Sequence, residues 1–305
     1  MSGGARRVLA CAWALAAPAL VACGDDASSG GGTLVVRVSG EEAAKQGYPM
    51  QRDGQTYEFV DGWTLVFDRY VVSFGDIEVA TQDGSVGSDA GLRYVVDLKL
   101  GDPAVETIEA LEARRWDAIG FSVLSADADS VVVGQVRDED LARMRDEGLT
   151  YLVEGVATHP EKGELRFSLP MANPTRNRNC TNGVDGTDGV VVRESATTEA
   201  EITFHVEHLF WDTLGAEQAR LRFDPIWGAD RDGDGVVVLD DLAAQRLADL
   251  RDPSGEPLLD EQGAPLVYDP GSIPLPDKNL REFVLATTAS QAHLNGTGLC
   301  STQRL

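Results

Sequence analysis

Three aspartates alternate with other residues in the segment Asp230-Arg-Asp232-Gly-Asp234. Calcium takes six to eight hard oxygen ligands, and carboxylates with this spacing can converge on one point. Gly235 follows where such a loop must turn sharply, and glycine accepts the backbone of a tight turn without steric cost. The spacing therefore predicts a calcium site in this loop. The alternative is an acidic hairpin or helix entry without a bound ion.

The segment from Asp230 to Asp241 resembles the twelve-residue calcium loop of EF-hand and dockerin-type proteins. The resemblance implies that the calcium ligands are Asp230, Asp232, Asp234, the backbone carbonyl of Val236, and Asp241. Val238 departs from the family pattern, whose ninth residue is usually polar, and Asp241 replaces the usual glutamate, as in dockerin-type loops. Since the sequence contains no second loop for cooperative sensing, we expect weak structural binding, with a Kd on the order of 10⁻⁴ to 10⁻³ M.

The N-terminus has the pattern of an export signal. Arg6 and Arg7 precede an almost wholly apolar run over 8–21, which is too short for a spanning helix. Leu20-Val-Ala-Cys23 resembles the lipobox of bacterial lipoproteins, which implies cleavage after Ala22 and acyl chains on Cys23 that anchor the protein to a membrane. Gly24 and the polar, glycine-rich residues that follow predict a tether over 23–32 and an outer-membrane location, facing the periplasm or the cell surface. The alternative is an ordinary secretory peptide in which Cys23 is incidental.

The cysteine count predicts one disulfide bond. Cys11 leaves with the leader and Cys23 carries lipid, so only Cys180 and Cys300 remain. In an oxidising compartment two remaining cysteines form a disulfide, which here would tie the C-terminus to the middle of the chain. Free thiols are the alternative, and a two-cysteine metal site is a further one.

The histidines offer a second candidate metal site. His205-Val-Glu207-His208 lies in an alternating segment, where His205 and His208 would point to opposite faces of a straight strand. They could share a metal if the strand ended near Glu207 and the chain turned, and the disulfide would bring His293 closer. The candidate zinc or copper ligands are His205, Glu207, His208 and His293. The alternative is that these are exposed or hydrogen-bonded polar side chains without a metal.

The charge of the chain excludes one class of partner. The 305 residues carry a formal charge of −24, and the loss of two leader arginines makes the mature chain more acidic. Such a surface repels nucleic acid and anionic lipid, and it favours cations and solubility. We therefore expect no nucleic-acid partner, and the sequence does not identify a protein or small-molecule partner.

Hydrophobic periodicity predicts a mainly β to α+β chain. Apolar alternation indicates strands at 33–39, 57–60, 63–67, 70–74, 77–79, 94–100, 118–124, 150–158, 164–169 and 201–208. Helices are predicted at 138–147, 239–250 and 279–293, with a helix start at Asp224-Pro225, turns at 61–62 and 75–76, and a polar loop over 173–189. Residues 105–116 fit either a helix or a strand. We predict a β-sandwich over 33–135 and an α+β part over 136–305 that carries loop 230–241 and a C-terminal helix, although the two could form one continuous unit.

The segments 203–210, 224–241 and 294–300 resemble those of uncharacterised bacterial lipoproteins, a group that implies an architecture and no reaction. No hydrolase elbow, zinc-protease motif, phosphate loop or dinucleotide fingerprint occurs in the sequence. We therefore expect a membrane-anchored, non-catalytic, calcium-binding structural or binding module. The alternatives are a periplasmic copper or zinc carrier that uses the histidines and a metal-dependent hydrolase.

Overall fold

The computed structural model describes residues 30–52, 54–214 and 219–305. The leader 1–22, Cys23 and the tether up to residue 29 lie outside the described residues, and the last tether residues begin the first strand. Within these ranges, no helix has both the length and the apolar character needed to cross a membrane.

The chain is mainly β, with 44% strand and 14% helix, in agreement with the predicted mainly β to α+β class. The strands are β1 (Gly31–Ser39), β2 (Met50–Arg52), β3 (Gln55–Tyr57), β4 (Thr64–Ala80), β5 (Val86–Asp97), β6 (Ala104–Glu112), β7 (Arg115–Trp116), β8 (Ala118–Val123), β9 (Val131–Val132), β10 (Tyr151–His159), β11 (Gly163–Met171), β12 (Thr175–Arg178), β13 (Val190–Val191), β14 (Thr197–Phe204), β15 (Val236–Val238), β16 (Ala292–Leu294) and β17 (Ser301–Arg304). The helices are α1 (Glu41–Gln46), α2 (Asp138–Asp146), α3 (Asp224–Trp227) and α4 (Leu280–Thr288), and two 3₁₀ turns cover Val206–Phe210 and Asp241–Ala244.

Most strands of the described ranges form two large sheets, and β13-β7 and β2-β3 form two small ones. The first large sheet has the order β16-β14-β1-β6, and the second has nine strands, with the path β15-β11-β10-β4-β8-β12-β17, with β5 paired to β4 and β9 paired to β5. Strand β1 pairs in parallel with β14, from Thr33 opposite Thr197 to Ser39 opposite Thr203. Both large sheets contain strands from each side of residue 135, because β1 pairs with β14 in the first and β4 with β10 in the second. The two predicted parts therefore form one interleaved unit.

The larger of two hydrophobic clusters in the described residues contains side chains from both large sheets. Phe74 on β4 and Phe204 on β14 are both fully buried, and their ring centroids lie 5.6 Å apart. Tyr151 on β10 also contacts Phe204, at 6.2 Å between centroids. Strand β1 shows the alternation expected of a half-buried strand, since Leu34, Val36 and Val38 are buried while their neighbours are partly exposed.

Two predicted elements differ in the structure, and a third, which the sequence left open, is decided. The predicted turn at 75–76 is a bulge inside the continuous strand β4, where Asp76 has φ 48 and the register with β5 shifts. The predicted polar loop over 173–189 contains β12, which continues the large sheet beyond β8. The ambiguous segment 105–116 is mostly the strand β6, which pairs with β1.

The predicted helix over 239–250 is limited to the single 3₁₀ turn Asp241–Ala244. The buried side chain of Gln245 explains this end, because its amide donates to the Arg251 carbonyl at 2.6 Å and accepts from the Arg251 amide at 3.0 Å. These bonds hold the chain in a tight non-helical loop. The leucines of the segment, Leu239, Leu242, Leu247 and Leu250, are buried as expected, whereas Ala243 is exposed, and the backbone beyond Ala244 is not helical.

The predicted disulfide is present between Cys180 and Cys300, which are 120 residues apart in the sequence. Cys180 is fully buried and belongs to the main core. The bond holds the C-terminal segment against the large sheet, where β17 adds to β12 as the last strand of the sheet path.

We expect the double substitution Cys180→Ser with Cys300→Ser to lower the free energy of unfolding by about 2–5 kcal/mol, because the crosslink limits the entropy of the unfolded chain. Denaturant unfolding measures the change. Reduction of the unsubstituted protein should give a similar loss, whereas equal stability of the oxidised protein and the variant would contradict a stabilising role.

Candidate functional site

A buried polar cluster positions the segment that leads into the acidic loop. Asp61 accepts hydrogen bonds from the backbone amides of Phe223 and Asp224 at 2.7 and 2.8 Å, at the start of α3. The Asp224 carboxylate accepts from the Trp63 indole at 2.8 Å and from the Lys162 ammonium. These hydrogen bonds fix the start of helix α3, both through its backbone amides and through the Asp224 side chain.

The acidic loop itself brings together three of the predicted ligands. Oxygens of Asp230, Asp232 and Asp234 lie within 4.8 Å of one another. The Gly233 amide donates to Asp230 at 3.0 Å, and the Val236 amide donates to Asp234 at 2.8 Å, so the loop is closed by its own aspartates. The arrangement can supply hard oxygen ligands from one side of a cation.

The end of the loop departs from the predicted ligand set. Asp241 is not part of the group of converging carboxylates, and its Oδ2 accepts a hydrogen bond from the Val238 amide at 2.8 Å. Val236 begins β15, which pairs in parallel with β11 at the edge of the large sheet. The loop therefore continues into a short strand, and the Asp241 carboxylate bonds the backbone at the end of that strand.

The strand that leads into the histidine segment ends before Glu207 and the chain turns, which is the condition under which His205 and His208 could lie together. Strand β14 ends at Phe204, and the 3₁₀ turn Val206–Phe210 follows, so His205 and His208 lie on the same side. Their ring centroids are 5.6 Å apart, and the ring of His293 lies 4.7 Å from His205 and 5.6 Å from His208. His293 reaches this place because β16 pairs with β14, with His293 opposite Thr203.

The three histidines nevertheless do not share a set of converging nitrogens. His205 bonds through Nδ1 to Glu207 at 3.1 Å and through Nε2 to the Gly296 carbonyl at 2.9 Å. His208 Nδ1 bonds to the Ser290 hydroxyl, and His293 Nε2 bonds to the Ser290 carbonyl, both at 3.0 Å. His208 and His293 therefore each bond Ser290 through one nitrogen, and neither belongs to a group of converging ligand atoms within the described residues.

Within the described ranges, two groups of three potential ligands have atoms within 4.8 Å of one another, and the second of these is Glu41, His205 and Glu207. Glu41 Oε2 lies 3.4 Å from His205 Nδ1, on the same side as Glu207. The sequence analysis did not single out Glu41, because nothing in its local pattern marks it. Its position depends on the pairing of β1 with β14.

Burial and charge give the three histidines different protonation states. Burial alone would lower the pKa of His205, but hydrogen bonds to Glu207 and Glu41 raise it to about 10. Burial and the charge of His205 lower the pKa of His208 and of His293. Near neutral pH the metal-free protein therefore has a charged His205 beside two neutral imidazoles.

The two neutral histidines, His208 and His293, border a cavity of about 320 Å³. His208, Trp211, Leu214, Ile273, Ala286 and His293 contribute to its walls, and the His208 ring stacks on Trp211 at 3.5 Å between centroids. Glu41, His205 and Glu207 do not line it. The cavity therefore does not provide the open cleft that a metal-dependent hydrolase would need at either candidate ligand group.

No protein-family model, curated protein or solved structure matches the chain.

The stability of the cluster below α3 should depend on pH. Burial and the charge of Asp224 raise the pKa of Asp61 to about 6, despite the backbone hydrogen bonds from Asp224 and Phe223 that lower it. A carboxyl group whose pKa is raised in the folded state does not change the free energy of unfolding at a pH where it is protonated in both states. As the pH rises from its unfolded-state pKa to its folded-state pKa of about 6, it lowers the free energy of unfolding. This cost is absent below the unfolded-state pKa and complete above the folded-state one.

We therefore expect the substitution Asp61→Asn to change the free energy of unfolding more favourably at pH 8 than at pH 4. The difference between the two pH values should be roughly 1–2 kcal/mol. Urea unfolding at the two pH values measures this. Glu58→Gln, an exposed site three residues earlier, serves as the control and should show no such pH-dependent difference. A constant difference between Asp61→Asn and the unsubstituted protein would contradict the assignment.

Proposed function

We propose that this protein is a membrane-anchored extracytoplasmic lipoprotein, and that calcium bound by loop 230–241 acts as a structural ion in a non-catalytic binding module. The observation that carries the calcium proposal is the convergence of the Asp230, Asp232 and Asp234 oxygens within 4.8 Å. Like charges this close repel one another, and a bound dication would remove that repulsion.

The surroundings of the loop support a structural role for the ion. The loop joins α3, which the Asp61 cluster holds, to β15, which pairs with β11. Val237, in the middle of β15, is fully buried. An ion in the loop would link two segments that are already fixed, so it would stabilise the edge of the sheet rather than switch between conformations. We therefore propose constitutive binding and not sensing.

We also propose that the two large sheets are the layers of a β-sandwich. The shared core supports this proposal, since Phe74 of one sheet contacts Phe204 of the other. Sheets that pack face to face bury the alternate residues of their strands in this way.

The proposal of export and lipidation rests on the sequence around Cys23 and has one structural support. A disulfide such as Cys180–Cys300 forms and persists in oxidising compartments, outside the cytoplasm. The acidic composition agrees with a soluble body held beside a membrane by a tether and not by surface contact with anionic lipid.

Calcium should raise the thermal midpoint of the chelator-treated protein, because an ion that binds only the folded state stabilises it in proportion to RT ln(1 + [Ca²⁺]/Kd). At 10 mM calcium and a Kd near 10⁻³ M, we expect a gain of about 1–2 kcal/mol. The double variant Asp230→Asn with Asp232→Asn should lose this response. Differential scanning calorimetry measures both.

The matched control is Asp252→Asn with Asp260→Asn, which removes the same charge from two other aspartates that close loops through their own carboxylates. This variant should keep the calcium response. If the loop variant responds as the control does, calcium acts through general charge screening and the loop is not the site.

Cys23→Ser should abolish lipid attachment in a bacterial host, and the protein should move from the membrane fraction to the soluble or unprocessed fraction. Incorporation of labelled palmitate and cell fractionation measure this. Cys11→Ser removes a cysteine within the predicted leader and should leave both unchanged. Palmitate incorporation that persists in Cys23→Ser would contradict the proposed anchor.

A further inference from the structure

We propose that Glu41, His205 and Glu207 form a binding site for one divalent transition-metal ion, with zinc as the ion that suits the donor set. Zinc in proteins binds imidazole nitrogen and carboxylate oxygen at about 2.0–2.2 Å. This site is separate from loop 230–241, and it does not depend on the proposed role of calcium.

The donor atoms already face one point. His205 Nδ1 lies 3.1 Å from Glu207 Oε1 and 3.4 Å from Glu41 Oε2, and the three atoms lie within 4.8 Å of one another. Two ligands at about 2.1 Å from a common metal can be no more than about 4.2 Å apart. Small side-chain movements therefore bring all three atoms to zinc distance, and no backbone change is needed.

The tautomer of His205 suits a ligand at Nδ1. Nε2 lies 2.9 Å from the Gly296 carbonyl oxygen, which can only accept, so Nε2 carries a hydrogen. When Nδ1 loses its proton, the ring keeps the Nε2 hydrogen and directs the Nδ1 lone pair toward the two carboxylates. A histidine that donates its other N–H to a backbone carbonyl is the usual arrangement around a metal ligand. The Gly296 amide in turn donates to the Thr203 hydroxyl at 3.0 Å, which fixes the position of this carbonyl.

One buried oxygen of the group, Glu207 Oε2, has no hydrogen-bond partner. The hydroxyl of Tyr48, whose side chain is 3% exposed, also has none, and its pKa is raised well above its usual range by burial and by the charges of Glu207 and Glu41. Unpartnered buried polar atoms are rare and costly, and a metal ion in the group would give Glu207 Oε2 a partner.

The charge of the group favours a dication. Two carboxylates next to one imidazole attract either a proton or a metal ion to the same Nδ1 position, and the metal carries twice the charge. On zinc binding, the proton on Nδ1 leaves to solvent and the Zn–N bond replaces the N–H bond. Arg52 donates to Glu41 Oε2 at 2.8 Å, so its charge offsets one of the two carboxylates and the group with a neutral His205 keeps one net negative charge.

His208 and His293 have no place in this site. Their hydrogen-bonded nitrogens face Ser290, and both rings border the apolar cavity on the far side. The proposed donor set therefore uses one histidine and two glutamates, and it differs from a three-histidine site in its chemical class.

The test is metal uptake by the purified full-length protein after chelation and desalting. We expect one zinc ion per chain by elemental analysis after incubation with zinc sulfate. In titrations, Glu41→Gln and Glu207→Gln should weaken binding at least about tenfold, and His205→Gln should abolish it. Far-UV circular dichroism of each variant checks the fold.

The matched controls lie next to the proposed ligands. Glu42→Gln, in the same helix and one residue along, should bind zinc as the unsubstituted protein does, and so should His293→Gln. Asp230→Asn with Asp232→Asn should also keep its zinc, which separates this site from the calcium loop.

Cobalt chloride gives a second readout that does not depend on any variant. We expect visible absorption bands typical of cobalt bound by nitrogen and oxygen in a low-coordinate site, and we expect zinc to displace them. The proposal is overturned if the unsubstituted protein takes up no zinc or cobalt. It is also overturned if His293→Gln loses the metal as fully as His205→Gln does, or if the loop variant alone removes it.

Discussion

Parallel pairing between β1 and β14 is the constraint on which the candidate metal centre depends. Parallel strands end at the same edge of a sheet, and here Ser39 is opposite Thr203. Two residues beyond each of these positions are Glu41 and His205, which therefore meet although 164 positions separate them in the sequence. The 3₁₀ turn that follows Phe204 brings Glu207 back to the same place. A shift of one residue in this register would move Glu41 away from the imidazole and would also turn the buried face of β1 toward solvent.

The C-terminal segment completes this region from the other side. Strand β16 pairs with β14, and residues 295–298 then bring the Gly296 carbonyl to His205 Nε2. The Cys180–Cys300 disulfide closes the segment directly afterwards, and β17 joins the large sheet. The C-terminus thus connects the two large sheets covalently and by strand pairing, and the Gly296 carbonyl accepts the Nε2 hydrogen of His205, so that Nδ1 faces the carboxylates.

The two acidic groups of the molecule differ in how they are built. The aspartates of loop 230–241 are close in sequence, and the loop's own backbone amides organise them. Glu207 is two residues from His205 in the sequence, whereas Glu41 comes from a distant segment and joins them only through the tertiary structure. The first group is open to solvent at Asp232 and Asp234, whereas His205 is buried. A hard, weakly held ion suits the first group and a nitrogen-preferring ion suits the second.

The sequence by itself determined what depends on neighbouring residues or on composition. The alternation of β1, the helix over 138–146, the start of the last helix, the single disulfide and the convergence of three loop aspartates follow from spacing or from counting. The last helix, predicted over 279–293, ends at Thr288, and His293 lies on β16. Tertiary structure decided the rest. Residues 75–76, predicted as a turn, form a bulge because the strands on both sides of β4 keep it continuous. Residues 245–250, predicted as helix, are not helical because the buried Gln245 side chain bonds the Arg251 backbone. Glu41 joined His205 only through strand pairing over a long sequence separation. The local sequence pattern does not predict such a contact, because the free energy that stabilises it comes from burying apolar residues that are far apart in the sequence.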